Sequence, residues 1–299
     1  MPKALRGGGE VVGHLLGAVA VQRRAGGLEG LVDRRPDLPG PRRSLGVLLL
    51  LGLLLILGHR QRISSRAAAV ETRHVHPTAP LAPRALICGD PGRSLALAQQ
   101  LTDEPKMFNH NRGLWGYTGL ARDGQPLTIM AHGMGAPSAV IVLEELCDLG
   151  LRTAVRVGSC GAVADGIEPG EILAVTEALA LDGVSRDLGG EGIARPDAEL
   201  TDLLAGGCDR AGLFVTADLF YEHGPGRIEE WRTAGALAVE MEAAALFTVA
   251  GIREIRIACA CMVTDGSPGG GERLTGARLE RATGRLGTVG LDALLALES

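Results

Sequence analysis

Three arginines lie in or beside glycine-rich turns, where a guanidinium group can approach an anion closely. They are Arg93, Arg112 and Arg156. Glycine-rich turns expose backbone N–H groups, and arginine binds phosphate through paired hydrogen bonds. Gly89 and Ser159 lie in two of these turns and can add a backbone N–H and a hydroxyl donor. We therefore expect a site for phosphate or a similar oxyanion; the alternative for any single arginine is a solvated surface charge.

Two carboxylates, Glu240 and Glu242, interrupt the apolar stretch 236–247. Charged side chains seldom lie in such a stretch unless they have partners. A carboxylate can accept hydrogen bonds from the two neighbouring hydroxyl groups of a sugar. The alternative is that these carboxylates stabilise the N-terminus of a helix.

Asp265 follows the predicted strand Ile255–Val263 and begins the glycine-rich segment Gly266–Gly271. In open α/β sheets, ligands bind beyond the carboxyl ends of the strands. A carboxyl group at this position is a candidate general acid. The alternative is a turn residue at the end of a strand.

Short apolar runs alternate with helical patterns from residue 84 to the end of the chain. The predicted strands are Arg84–Cys88, Leu127–Ala131, Thr153–Val157, Ile172–Leu179, Leu213–Thr216 and Ile255–Val263. The predicted helices are Ser94–Leu101, Ala136–Leu149, Glu199–Ala211, Arg227–Thr233, one within Val239–Ala250, and Ala277–Leu297. The glycine-rich turns that follow strands are Gly89–Arg93, Gly133–Ser138, Gly158–Gly161 and Gly266–Gly271. This alternation predicts a single α/β domain with a central mixed sheet flanked by helices.

The first 71 residues differ from the rest and are predicted to precede a domain at 72–299. Residues 1–69 carry 11 Lys and Arg against 4 Asp and Glu. The run Leu45–Leu57 is almost entirely leucine, but it is shorter than the roughly 20 residues of a spanning helix. Three interpretations stay open: an extension upstream of the true start, a signal or membrane anchor, or a disordered leader. Membrane contact is expected only if this run is genuine.

Composition argues against several classes of protein. Residues 70–299 carry 19 Lys and Arg against 31 Asp and Glu, so this part lacks the basic face of a nucleic-acid groove. The six cysteines show no metal or redox spacing, which favours buried free thiols in a reducing compartment. Neither a complete dinucleotide fingerprint nor a Walker lysine pattern is present. We expect a cytoplasmic protein without a metal or a nucleic-acid partner, unless the leader anchors or exports it.

Seven motifs occur in order along the chain. They are Gly89-Asp90-Pro91-Gly92-Arg93, Asn111-Arg112-Gly113-Leu114-Trp115-Gly116-Tyr117-Thr118-Gly119, His132-Gly133-Met134-Gly135-Ala136-Pro137-Ser138, Arg156-Val157-Gly158-Ser159-Cys160-Gly161, Ala217-Asp218-Leu219-Phe220-Tyr221, Val239-Glu240-Met241-Glu242-Ala243-Ala244 and Val263-Thr264-Asp265. Together they resemble the hexameric bacterial purine nucleoside phosphorylases and their nucleoside phosphorylase relatives, over roughly residues 72–299. The resemblance implies phosphate-dependent cleavage of the N-glycosidic bond of a purine nucleoside, giving free base and ribose 1-phosphate. It implies phosphate as a co-substrate, no cofactor, and a homo-oligomer, expected to be a hexamer built from dimers.

The resemblance also implies a role for each candidate residue. Phosphate is bound by Gly89, Arg93, Arg112, Arg156 and Ser159, ribose by His74, Met134, Met241 and Glu242, and the base by Phe220 and Glu240, while Asp265 and Arg278 act in catalysis. Asp265 protonates N7 of the leaving purine, and Arg278 pairs with Asp265 as the site closes. Arg273 and Arg281 are competitors for the place of Arg278.

Two of these residues are expected to act in the site of a neighbouring subunit. Arg112 reaches the phosphate there, and a histidine near the start of the domain reaches the 5′ position of the sugar. His74 is favoured for that role, and His76 is the alternative.

Other functions stay open beside the purine enzyme. Uridine phosphorylase is the nearest alternative, but no Gln-x-Arg element follows Phe220-Tyr221 to read uracil. A nucleosidase that uses water would not need the arginine cluster. A membrane-tethered nucleoside-binding protein is the non-enzyme alternative. The sequence does not separate inosine or guanosine from adenosine, methylthioadenosine or uridine as the substrate.

Overall fold

Ten strands form one mixed sheet in a computed structural model of the chain, which describes residues 71–221, 226–266 and 273–297. The strands are β1 (Arg84–Cys88), β2 (Asp103–Asn109), β3 (Gly116–Leu120), β4 (Pro126–Ala131), β5 (Thr153–Ala162), β6 (Ile172–Ala180), β7 (Gly192–Ala194), β8 (Arg210–Thr216), β9 (Ala238–Glu240) and β10 (Arg256–Asp265). The helices are α1 (Pro91–Leu101), α2 (Ala136–Asp148), α3 (Gly183–Asp187), α4 (Ala198–Ala205), α5 (Arg227–Thr233), α6 (Ala243–Arg253) and α7 (Gly276–Leu297). The predicted α/β class with a mixed sheet is confirmed.

The sequence interpretation of Asp265 assumed an open sheet, but part of the sheet is closed. From one side the strand order is β2, β3, β4, β1, β5, β9, β8 and β6, and β10 pairs with both β5 and β6. Strand β10 runs parallel to β5 and antiparallel to β6. Five strands, β5, β9, β8, β6 and β10, therefore close into a ring. The apolar run 257–263 within β10 suits this place, because a strand paired on both edges is buried along most of its length.

Helices cover both faces of the sheet. On one face, α2 and α6 contribute buried side chains such as Leu143 and Leu246 to a core with β1 and β10. On the other face, α1, α4 and α7 contribute residues such as Leu97, Leu204 and Leu286. The sheet is thereby held between two apolar layers, so the site residues at the ends of its strands rest on rigid elements.

Two differences from the sequence prediction concern the hairpin β2–β3 and the end of α4. The hairpin β2–β3 was not predicted, because Pro105 and two glycines interrupt the alternation that identifies strands. The helix predicted at Glu199–Ala211 ends at Ala205, and the pair Gly206-Gly207 separates it from β8. Among the described residues, none of the helices combines the length and apolar character needed to cross a membrane. Leu45–Leu57 lies outside the described residues.

Candidate active site

Three of the residues predicted to bind phosphate meet at the carboxyl ends of β1 and β5, which are parallel neighbours. Gly89 follows β1, and Asp90 caps α1 by accepting a hydrogen bond from Arg93 N (2.5 Å). The Arg93 guanidinium crosses to β5, where Nη1 donates to Val157 O (3.0 Å) and Nη2 to Ser159 Oγ (3.1 Å). Gly89, Arg93 and Ser159 therefore offer a backbone donor, a charge and a hydroxyl group at one edge of the sheet.

Arg156 lies deeper in the same region and faces carboxylates. It is 3% exposed, its Nη2 contacts Glu242 Oε2, and its Nη1 is 3.2 Å from Glu240 Oε2. Nη1 also lies 3.1 Å from Cys261 Sγ and 3.4 Å from Cys259 Sγ. Burial alone would lower the pKa of Arg156, but the carboxylates and thiols more than offset burial and raise it. Arg156 is therefore a fixed positive charge inside the site.

A glycine makes room for this guanidinium group. A Cβ on Gly158 would lie 2.7 Å from Arg156 Cζ and 2.9 Å from Cys261 Sγ. The prediction that Gly158–Gly161 is a turn is wrong: these residues belong to β5 and pair with β10. Glycine in the interior of a strand marks a close approach of other atoms, and here the approaching group is the Arg156 side chain.

Glu240 does not face an open ligand pocket. Its side chain has no exposed surface, and it accepts hydrogen bonds from Glu242 N (2.8 Å), Ala243 N (2.9 Å) and Thr216 Oγ1 (2.5 Å). The contact of Glu240 with the base stays a prediction; in this structure, backbone donors at the start of α6 and Arg156 surround the carboxyl group. Burial raises the pKa of Glu240 to about 7, against the opposing effect of Arg156.

Glu242 holds the glycine-rich turn after β4 against Arg156. Its Oε1 accepts a hydrogen bond from Gly135 N (2.6 Å), and its Oε2 contacts Arg156. Burial alone would raise the pKa of Glu242, but Arg156 and the hydrogen bond from Gly135 N outweigh burial and lower it. Glu242 is thus an ionised acceptor at the junction of three segments, and no sequence pattern predicts its partner Gly135.

His132 is a residue of this region for which the sequence analysis assigned no role. The side chain is fully buried, and within the described residues neither ring nitrogen has a hydrogen-bond partner. Its Cε1 lies 3.9 Å from the position of a Cβ on Gly89. Burial lowers the pKa of His132 to about 4; Arg156 and Arg93 add to this, while Glu242 opposes it. A neutral imidazole therefore lies behind the turn that contains Gly89.

Asp265 projects from an irregularity near the end of β10. The register with β5 shifts between Val263 and Asp265, which is the local distortion of a β-bulge. Thr264 Oγ1 donates to Asp265 Oδ2 (2.9 Å). Arg273 Nε is 3.6 Å from Asp265 Oδ1. The structure thus places Arg273 at Asp265, where the sequence analysis favoured Arg278.

Arg278 has a different neighbour in this structure. Arg278 lies on the surface of α7, and its Nη2 donates to Pro169 O (3.1 Å). The first turn of α7 carries Arg278, whereas Arg273 precedes the helix and pairs with Asp265 through a backbone bridge. The bridge between Asp265 and Arg273 places Arg273 beside the carboxyl group, and residue spacing alone does not predict that bridge.

His74 and Arg112 line a cavity of about 240 Å³. Gly89, Arg93 and Ser159 are not among its lining residues. The lining residues are His74, Arg112, Leu114, Pro137, Ser138 and Ile141. Asn111 Nδ2 donates to His74 O (2.9 Å), so the turn that carries Arg112 is tied to the histidine. His76 points elsewhere, with its Nε2 3.2 Å from Arg73 O. The cavity favours His74 over His76 as the partner of Arg112.

The residues predicted to contact the sugar and base are accessible to different degrees. Phe220 is 63% exposed and packs edge-to-face on Tyr221 with 5.0 Å between ring centroids. Met134 is 85% exposed at the tip of the turn between Gly133 and Gly135, and Met241 is half-buried. Phe220 and Met134 are free to contact a ligand. Residues 222–225 lie outside the described part of the chain.

The sequence profile of the phosphorylase superfamily matches residues 83–296 of this chain. The chain belongs to the phosphorylase superfamily. Among curated relatives, it is 36% identical over 186 residues to a guanosine phosphorylase of Halorubrum lacusprofundi, which covers 60% of this chain and 76% of the relative. It is 32% identical over 221 residues to a purine nucleoside phosphorylase DeoD-type of Yersinia enterocolitica, covering 70% of this chain and 90% of the relative. A uridine phosphorylase of Escherichia coli is 31% identical over 193 residues, covering 58% and 76%.

The superfamily match includes every predicted site residue except His74, which lies nine residues before its start. His74 is nevertheless joined to the matched region through Asn111 and through Glu145 of α2. Residues 71–82 are thereby attached to the phosphorylase fold beside Arg112.

Proposed function

We propose that the chain catalyses phosphorolysis of purine nucleosides, giving a free base and ribose 1-phosphate. The observation that carries this proposal is the direct contact between Arg156 Nη2 and Glu242 Oε2. In phosphorolysis a phosphate oxygen must reach the anomeric carbon, so a group that binds phosphate and a group that binds the sugar must be neighbours. A guanidinium beside a buried carboxylate meets this requirement, and a water-using hydrolase has no need of the guanidinium.

In the proposed reaction the phosphate displaces the purine from C1′ of the ribose. Arg93, Ser159 and the Gly89 N–H orient the phosphate, and the positive charge of Arg156 holds it next to the sugar. Glu242 accepts hydrogen bonds from the ribose diol. The new C1′–O bond forms as the C1′–N9 bond breaks, and the electron pair of the broken bond passes to the purine. Asp265 donates a proton to N7 and so neutralises the departing base.

Three further side chains complete the proposed nucleoside contacts. Phe220 stacks on the base, and Met134 and Met241 pack on the sugar, in line with the exposure of the first two. Base stacking of this kind contributes about 1–3 kcal/mol and tolerates different bases. We assign Glu240 to positioning, because it holds the start of α6 and one edge of Arg156.

We further propose that the chain acts as a homo-oligomer with shared sites. His74 and Arg112 line a cavity separate from the Arg93–Ser159 edge of their own chain, and both present polar groups there. Ile141 of the same cavity is 40% exposed, so apolar surface is available for a second copy. A hexamer is the expected form, and sedimentation at assay concentration tests it: full activity in a strictly monomeric species contradicts shared sites.

A nucleoside panel assayed with and without phosphate tests the function. We expect inosine and guanosine to be cleaved only when phosphate is present, with ribose 1-phosphate as the product. Base release at the same rate with and without phosphate would identify a nucleosidase. Cleavage restricted to uridine would identify a uridine phosphorylase, which is the name of the Escherichia coli relative. Tight nucleoside binding without turnover would favour a binding protein.

A further inference from the structure

A second cavity, of about 240 Å³, lies where the residues before β6 meet the first turns of α7. Its lining includes Pro169, Gly170, Leu274 and three arginines of α7, namely Arg278, Arg281 and Arg285. None of the residues proposed to bind phosphate at β1 and β5 lines it. The three arginines lie on one face of α7, because residues three, four and seven positions apart are neighbours on a helix. Guanidinium groups therefore converge on a part of the molecule that the proposed reaction leaves unused.

Two of these arginines are held in place by the surrounding structure. Arg285 donates from Nη1 and Nη2 to the two carboxylate oxygens of Asp209, each at 2.7 Å, so its charge is compensated. Arg278 Nη2 donates to Pro169 O (3.1 Å), which joins α7 to the opposite wall of the cavity. Arg281 is exposed, and within residues 71–221, 226–266 and 273–297 no hydrogen bond or ion pair involves it. The cavity thus has a fixed frame, and the N–H donors of Arg281 are available to a ligand.

The lining of the cavity favours a small anion. Among the described residues that line it there is no aspartate or glutamate, and the buried side chain of Leu274 supplies apolar surface beside the arginines. Guanidinium groups bind phosphate through paired N–H donors, and one phosphate group has enough oxygens to accept from two arginines. Pockets for drug-sized ligands typically measure roughly 300–1,000 Å³. This smaller cavity therefore suits a phosphate group and not a whole nucleoside.

Two residues of the cavity wall are hydrogen-bonded to the end of β10. Gly170 N donates to Val263 O (2.9 Å), and Leu274 N donates to Thr264 O (2.8 Å). Val263 and Thr264 directly precede Asp265 in the strand. A ligand in the cavity would therefore contact residues that hold the strand end from which Asp265 projects.

We propose that this cavity is a second anion site, in which Arg281 and Arg278 bind a phosphate group. Inorganic phosphate and phosphate esters share this group, so either can supply the ligand. The site goes beyond the proposed function, because it needs neither a nucleoside nor the groups at β1 and β5. Binding there places an anion beside Gly170 and Leu274, the two residues that are hydrogen-bonded to the end of β10.

Arg281→Gln tests the proposal, because it removes the positive charge and keeps an unbranched side chain with N–H donors at an exposed helical position. Arg122→Gln is the matched control. Arg122 is also exposed, and it pairs with Asp292 toward the other end of α7, outside the cavity. Both variants therefore remove one arginine charge from the surroundings of the same helix, and only Arg281→Gln removes it from the proposed site.

The first readout is the carbon-13 methyl signal of Leu274, assigned by its loss in Leu274→Met and followed in the full chain. Sodium phosphate, ribose 5-phosphate and sodium chloride are added in separate titrations at matched ionic strength, because exposed charges are screened by salt. We expect a saturable shift with a phosphate-bearing ligand and none with chloride. Saturation by phosphate alone identifies the inorganic ion as the ligand, and saturation by ribose 5-phosphate identifies an ester.

The two variants decide whether the shift comes from the cavity. The Kd for the phosphate group should rise about tenfold in Arg281→Gln, the scale of one lost hydrogen bond to a charged group, and stay at its original value in Arg122→Gln. The proposal is overturned if the Leu274 signal shows no saturable shift, if chloride shifts it equally, or if Arg281→Gln leaves the Kd unaltered.

The second readout separates this cavity from the position of the co-substrate. In Arg281→Gln the KM for phosphate in inosine cleavage should change far less than the Kd measured at Leu274, because different residues bind the two phosphate groups. Equal changes in the two constants would mean a single phosphate position and would overturn the proposal. Failure of the proposed function looks different, since inosine would then not be cleaved while the Leu274 signal still reported binding.

Discussion

Gly158→Ala is expected to displace Arg156 without altering any group that contacts substrate. The added Cβ would lie 2.7 Å from Arg156 Cζ and 2.9 Å from Cys261 Sγ, both far inside ordinary contact distance. The guanidinium must move, and its contacts with Glu240 and Glu242 are lost or stretched. The variant therefore keeps the positive charge of Arg156 but shifts its position, so it tests the position alone.

The expected loss of stability follows from three terms. Alanine in a strand is favoured over glycine by roughly 0.5–1 kcal/mol. Overpacking a filled interior costs about 1–3 kcal/mol, and breaking a buried ion pair costs about 3–5 kcal/mol. Because a long side chain can move before the backbone does, we expect the lower end of this range, a net loss of about 3 kcal/mol in the free energy of unfolding.

Gly161→Ala is the matched control, three residues along the same strand. There the added Cβ meets only Val239 Cγ1 at 3.7 Å, an ordinary van der Waals contact. Urea unfolding should show Gly161→Ala to be as stable as the original protein or slightly more so. Initial rates against phosphate concentration should show a KM for phosphate raised about tenfold or more in Gly158→Ala alone. Equal stability and equal phosphate KM in the two variants would refute the account of Gly158.

Four further variants test separate parts of the site. Asp265→Asn should lower kcat for inosine by about 10²-fold, and much less for 7-methylguanosine, whose base leaves without a proton at N7; equal losses would mean that Asp265 supports the loop only. Arg273→Ala should lower kcat more than Arg278→Ala, since Arg273 is the arginine at Asp265, and the reverse order would show that closure exchanges the partner. His132 binds a proton in the unfolded chain below its ordinary pKa of 6.5 but in the folded chain only below about 4, so its contribution to stability is lost as pH falls from 6.5 to 4. Its effect is up to roughly 3 kcal/mol, and the pH dependence of urea unfolding should differ by this amount between the original protein and His132→Gln; parallel curves would contradict it.

The residues that could be placed from the sequence are those fixed by strand order. Gly89 and Ser159 each follow a run of buried residues, and parallel neighbours bring their carboxyl ends to one edge. Glu242 could be recognised as a buried carboxylate needing a partner, although not which partner. In each case a local pattern was enough, because the sheet supplies the remaining geometry.

The other features of the site depend on the orientation of side chains, which residue spacing does not define. Glu240 accepts hydrogen bonds at the N-terminus of α6, and the pairing of β9 with β5 and β8 places it there. The choice between Arg273 and Arg278 depends on the bridge that pairs Arg273 with Asp265. His132 could not be assigned a role, because an unpartnered ring is visible only once its surroundings are known.

The ring of strands has a consequence for synthesis of the chain on the ribosome. β10 is the last strand in sequence, yet it joins β5 to β6, and Arg256 is the register partner of Thr153. Until residue 265 has left the exit tunnel, β5 and β6 each keep an unpaired edge, which is a template for pairing with another nascent chain. Folding of the region that will hold Arg156 must therefore wait for nearly the whole polypeptide, and a chain released before β10 retains those two exposed edges.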